Sequence, residues 1–127
     1  LPDDQRQPYE RHVRGRAAEQ LVVEYLEGLG YEILGTNVRI GHLELDVVAR
    51  DGAVIVVVEV RTRGRGAWTT AFESFSSEKR KRVRRAGERL WRMQFRRDRS
   101  AERMRFDAAA VTFDDDGPRI EYVRAAF

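Results

Sequence analysis

The sequence predicts an α/β domain: a mixed central sheet of about five strands with helices on its faces. Three observations predict it. Residues 41–63, GHLELDVVARDGAVIVVVEVRTR, set two runs of Leu, Val and Ile around Asp51-Gly52, a strong signal for a tight β-hairpin. Both faces of that hairpin are largely apolar, as expected of a central strand pair covered on both sides. Helical stretches at 13–27 and about 77–97 bracket the hairpin, and the second links a strand to a later strand, which ordinarily builds a right-handed parallel unit.

Length and composition set the bounds. At 127 residues the chain is one domain with room for a real core, and its 42% hydrophobic and 35% charged content is that of a globular protein. The absence of cysteine excludes a disulfide framework and a Cys-based zinc site. His12 and His42 alone cannot make a His-rich metal centre, so any metal is held chiefly by oxygen, which points to Mg2+ or Mn2+. No run approaches the roughly 18 apolar residues of a membrane span, and the amino end lacks the apolar segment of a signal peptide. A soluble cytoplasmic protein with no membrane partner is the expectation.

Taken in order, residues 1–12 carry Pro2 and Pro8 and read as a flexible N-terminal tail, leaving 13–127 as the single domain. Ala18, Leu21, Val22, Tyr25 and Leu29 fall at helical spacing, and Gly28 and Gly30 end that first helix. Residues 31–36 read as a strand and 37–41 as a turn before the hairpin. A long Gly-containing loop runs to Ser77, a length that often carries function; its Trp68 either stacks on a base or pins the loop to the core. Ser76 or Ser77 caps the second helix, whose inward stripe is Val83, Ala86, Leu90, Met93 and Gln94, helped by Trp91. Residues 106–113 and 119–123 read as the last strands, joined by a turn at 114–118.

The charges are unevenly placed. Residues 61–105 hold 16 Lys and Arg against 5 Asp and Glu, whereas the rest of the chain holds 8 against 16, so a net charge of +3 conceals a basic half and an acidic half. Arg82, Arg85, Arg89, Arg92 and Arg96 recur every three or four residues and form a basic helix face long enough to track a phosphate backbone. Arg63 and Arg65 in the loop, with Trp68 and Lys79, extend the set of expected nucleic-acid contacts. A solvated Arg-rich helix is the bland alternative.

Four charges stand at the far end of the hairpin. Strand alternation puts Glu44 with Asp46 and Glu59 with Arg61, and any even-length loop brings all four to one face. A two-residue loop at Asp51-Gly52 sets Glu44 opposite Glu59, and a four-residue loop sets Asp46 there. Carboxylates on neighbouring strands can share a hard cation, with the carbonyl of Val60 and waters completing the shell. Such an ion activates water and neutralises phosphate charge, and Arg61 would aim at the same phosphate. The alternative is an ion pair of Arg61 with Glu59 or Glu44 and no metal. Glu19, beside the apolar stripe of the first helix, could face inward along the helix edge, but on spacing alone the favoured reading is a first-turn acid complementing the helix dipole.

GHLELDVVARDG, VVVEVRTR, the Lys79 segment, RFDAAAV from Arg105 and the closing AAF resemble the YraN-like family of uncharacterised bacterial proteins, over nearly the whole chain. The resemblance implies the restriction-endonuclease-like superfamily fold, kinship with Holliday-junction resolvases, and an active site of the PD-(D/E)-x-K type. It assigns Asp46 and Glu59 as metal-binding acids and Glu19 as the helix glutamate of resolvase-like members, with Glu44 as a supporting acid. Arg61 stands where the superfamily pattern has lysine. It stays charged but cannot accept a proton from water, and Lys79 is a candidate to replace that lysine. The expectation is a metal-dependent nuclease acting on structured or branched DNA, with a homodimer permitted. Two competitors are a catalytically inactive nucleic-acid-binding module of the same fold and a protein-interaction domain with a basic face.

Overall fold

The computed structural model describes the backbone of residues 8–63 and 75–127, and the side chains of 15–62 and 75–127. Arg65 and Trp68 lie outside the described residues, as do the side chain of Arg63 and residues 1–7 of the expected tail. Helix α1 spans Pro8–Gly28, and strands β1 (Glu32–Ile40), β2 (Leu43–Asp51) and β3 (Val54–Arg63) follow. Helix α2 (Ser77–Leu90) continues into a π-helical turn (Trp91–Phe95), and strands β4 (Arg103–Asp114) and β5 (Gly117–Val123) complete the chain. The sheet order is β1-β2-β3-β4-β5, and every neighbouring pair is antiparallel except β3 and β4. The α/β fold with a mixed five-stranded sheet is therefore as expected, with the α2 crossover supplying the parallel pair.

Each face of the sheet has its own helix. Ala18, Val22 and Leu26 of α1 pack on Val47, Ala49, Val56, Val58, Ala109 and Val111. On the other face Val83, Ala86 and Leu90 of α2 meet Leu45, Val48, Ile55, Val57 and Phe106. Gly87 brings α2 close, since a Cβ there would sit 2.5 Å from the Phe106 ring.

Several local expectations change. α1 starts at Pro8 instead of residue 13, a proline in the first turn where its missing N–H costs nothing. Its end is as read: Gly30, at φ 88, lets the Tyr31 N–H return to the Leu26 carbonyl at 3.0 Å. β1 continues to Ile40, beyond the expected end at 36, because Asn37 adopts φ 51 within the strand instead of opening a turn. The hairpin turn is Gly52-Ala53, one residue later than read, with Gly52 at φ 59 and Asp51 paired to Val54. β4 and β5 likewise extend past their expected limits.

Met93 and Gln94 do not point inward. Met93 is 64% exposed and Phe95 is buried instead. The π-helical turn, closed by the Arg96 N–H on the Trp91 carbonyl at 2.8 Å, inserts one residue and moves the inward position from 94 to 95. Arg82, Arg85, Arg89, Arg92 and Arg96 are all exposed.

Candidate functional site

The site forms where β2 and β3 part. Their backbone pairing ends at Val47 and Val58, and side chains take over the ladder beyond it. The Asp46 N–H donates to Glu59 Oε2 at 3.1 Å, and the Val60 N–H donates to Asp46 Oδ2 at 2.8 Å. Each acid thus satisfies a backbone donor of the opposite strand. The register is the one that sets Asp46, not Glu44, across from Glu59.

The expectation that all four charges share one face is not met. Leu43 and Leu45 join the α2-side core whereas Val47 joins the α1-side core, so β2 reverses its faces at Asp46. The reversal lies opposite the left-handed Asn37, between the Thr36–Val47 and Val38–Leu45 pairs, where β3 also parts from β2. The reversal places the Asp46 carboxylate in the gap between strands. Glu44 is exposed and lies 3.9 Å from Arg39, a surface pair worth little.

Glu59 has no exposed surface. Its Oε1 is buried without a hydrogen bond, and the Lys79 ammonium stands 3.4 Å from it. Lys79 is placed there by the start of α2: Ser76 is the N-cap, and its hydroxyl oxygen accepts the Lys79 N–H at 3.1 Å. Burial, followed by the charge of Asp46, pushes the Glu59 carboxyl up to about 7. Burial likewise raises Asp46, opposed by its bond from Val60 and by the Lys79 charge.

Glu19 comes from α1 to the same end of the sheet. Its Oε2 accepts a hydrogen bond from Asn37 Nδ2 at 3.0 Å. Burial raises its pKa, and the charges of Asp46 and Glu44 add to the rise. The Arg61 guanidinium carbon stands 5.0 Å from the centroid of the Phe75 ring, and its charge reaches Asp46. The structure therefore brings Glu19, Asp46, Glu59 and Lys79 together and sets Arg61 on an aromatic face.

A cleft of about 260 Å³ opens beside these groups, lined among others by His42, Glu44, Asp46, Lys79 and Arg82. Arg89 packs against the β1–β2 turn so closely that a Cβ on Gly41 would lie 2.9 Å from its guanidinium. Among the described residues no three His, Cys, Asp or Glu side chains converge as a metal cluster. Two carboxylates do converge, one with an unsatisfied oxygen. That donor set suits a magnesium-like ion, which needs only one or two carboxylates beside water and phosphate.

A family profile, described as Uncharacterised protein family UPF0102, matches residues 18–111, a span that includes every acid of the site. The chain belongs to the UPF0102 family. A UPF0102 protein of Sorangium cellulosum is 55% identical over 118 residues, covering 92% of this chain and 82% of the relative. One from Anaeromyxobacter sp. (strain Fw109-5) is 36% identical over 127 residues, 100% of this chain and 93% of the relative. One from Acidothermus cellulolyticus is 37% identical over 126 residues, 92% and 95% of the two chains. The family-level resemblance read from the hairpin motifs is thereby borne out.

The UPF0102 chain holds two further residues that sequence reasoning missed. Asn37 was read as a turn residue, yet it bends β1 and holds Glu19. Asp107 has no exposed surface and accepts both Arg105 Nε and Nη2 at 2.9 Å, the Tyr122 hydroxyl, and the Ala125 N–H at 2.9 Å. Arg105 also donates to the Tyr31 hydroxyl at 3.0 Å. The signal for Asp107 was present in the sequence: a lone acid inside the apolar run RFDAAAV has to be paired if buried. Among the described residues no helix is long and apolar enough to cross a membrane.

Proposed function

We propose that this UPF0102 protein is a metal-dependent nuclease of the restriction-endonuclease-like type, hydrolysing phosphodiester bonds in structured or branched DNA. One observation carries the reading: the buried Glu59 and the half-buried Asp46 cross-brace the gap between β2 and β3, and Glu59 keeps an oxygen that no hydrogen bond satisfies. Both acids brace the strands through one oxygen each, but burying the remaining Glu59 oxygen without a hydrogen bond is expensive, and a cation there is the economical reason for it.

Asp46 and Glu59 would hold Mg2+ or Mn2+. The ion supplies a more acidic bound water and charge neutralisation at the phosphate. The backbone bonds from Asp46 and Val60 fix both carboxylates in advance, so little reorganisation is needed when charge develops. Glu19, held by Asn37, adds negative potential that reaches Asp46. Arg82, Arg85, Arg89 and Arg92 offer an exposed basic track leading from the cleft, suited to backbone phosphates. In the hydrolysis, the water oxygen bonds to phosphorus, the bond from phosphorus to the departing sugar oxygen breaks, and that oxygen takes up a proton.

The test is cleavage of junction, flap and duplex DNA with Mn2+ or Mg2+, lost in Asp46→Asn. Absence of cleavage of every such DNA and of RNA at high protein concentration moves the assignment to the non-catalytic binding module. The position of Arg61 over Phe75, where the superfamily pattern has its lysine, favours that second reading.

A further inference from the structure

We infer that the Lys79 ammonium is the resident cation of the acid pair, that a divalent ion enters by displacing it, and that the displaced lysine then faces the phosphate. The inference rests on the metal-dependent reading of the same site and adds an order of events to it.

Three observations support it. Glu59 has no exposed surface, and its unsatisfied Oε1 has the Lys79 ammonium 3.4 Å away. Lys79 itself lines the cleft, with about a third of its side chain exposed (35%), so the ammonium stands between the free oxygen and the opening. A divalent ion cannot take Oε1 as a ligand while an ammonium occupies that approach, because two cations at this separation repel strongly. The second observation concerns freedom of movement. Lys79 has its backbone held by the Ser76 cap, separately from the ion pair that its side chain makes with Glu59. Its four-carbon stem can therefore swing into the cleft without disturbing α2. The third concerns what replaces the strand lysine. Among the described residues Arg61 is engaged with Phe75, and Lys79 is the cation paired with Glu59. Once moved, its ammonium joins Arg82, another residue of the cleft lining, where a phosphate bound at the acids would be met.

The test compares Mn2+ binding and DNA cleavage in the full chain and in Lys79→Met. Removing the competing charge should tighten Mn2+ binding about tenfold or more in a calorimetric titration, while cleavage falls by about a hundredfold. A merely structural lysine gives the opposite sign, weaker metal binding from a disordered site. Where Lys79→Met does not fold, Lys79→Gln, whose amide can still donate to Glu59, carries the same comparison. Equal or weaker Mn2+ binding by the variant, or undiminished cleavage by it, overturns the proposal. Tighter Mn2+ binding with no cleavage by the wild-type chain upholds the displacement and overturns instead the nuclease reading.

Discussion

Asp46 and Glu59 each accept the backbone N–H that the other's strand leaves open, so the two acids replace the missing rungs between β2 and β3. The arrangement ties the charge state of the site to the stability of the sheet.

That link has a definite sign in pH. Glu59 titrates at about 7 when folded, against its ordinary 4.5, so the folded state holds the proton more tightly. Its stabilising contribution is complete below about pH 4.5 and is lost as pH rises through about 7, and Asp46, also raised, works in the same direction. Urea midpoints should therefore fall between about pH 5 and pH 8, corresponding to up to about 3 kcal/mol. Glu59→Gln should flatten the profile; an unchanged slope in that variant would mean that other groups set it.

Asp107 is the structural acid of the fold. Its Arg105 pair, the Tyr122 hydroxyl and the Ala125 N–H all lose their acceptor in Asp107→Ala, at a cost of about 3–5 kcal/mol. Equilibrium denaturation measures this directly. A loss below about 1 kcal/mol would show that water readily replaces the carboxylate.

Asn37 has two roles that substitution can separate. Asn37→Ala places an ordinary side chain at φ 51 and should cost about 1–2 kcal/mol, whereas Asn37→Gly tolerates the angle and should cost less. Both remove the hydrogen bond that lowers the Glu19 pKa, so both should move Glu19 further upward in an NMR titration. Unequal Glu19 shifts in the two variants would point to the backbone, not the amide, as the controlling element.

The exposed arginines of α2 predict a steep salt dependence of DNA binding. Arg82→Ala and Arg85→Ala should each reduce the slope of log affinity against log salt by about 0.9, with nearly the same loss for every DNA sequence. Salt-insensitive binding would instead favour an acidic protein as the partner of this face.

The sequence by itself determined the layered α/β plan, the hairpin, the capped basic helix and the acids available to a site. These follow from short-range patterns: alternation in strands, three-to-four spacing in helices, and glycine where the chain turns. Tertiary structure decided the rest. Strand alternation alone put Glu44, Asp46, Glu59 and Arg61 on one face, but β2 reverses its faces at Asp46, opposite the left-handed Asn37 of β1. A single inserted residue in the π-helical turn similarly exchanged Gln94 for Phe95 in the core. The sequence could name Lys79 as a candidate but not locate it, because the side chain reaches Glu59 from another element, 20 residues along the chain, only after α2 docks on the sheet. The acid pair was legible as composition and strand position; its cross-bracing, its unsatisfied oxygen and the lysine before it exist only where β2, β3 and α2 meet.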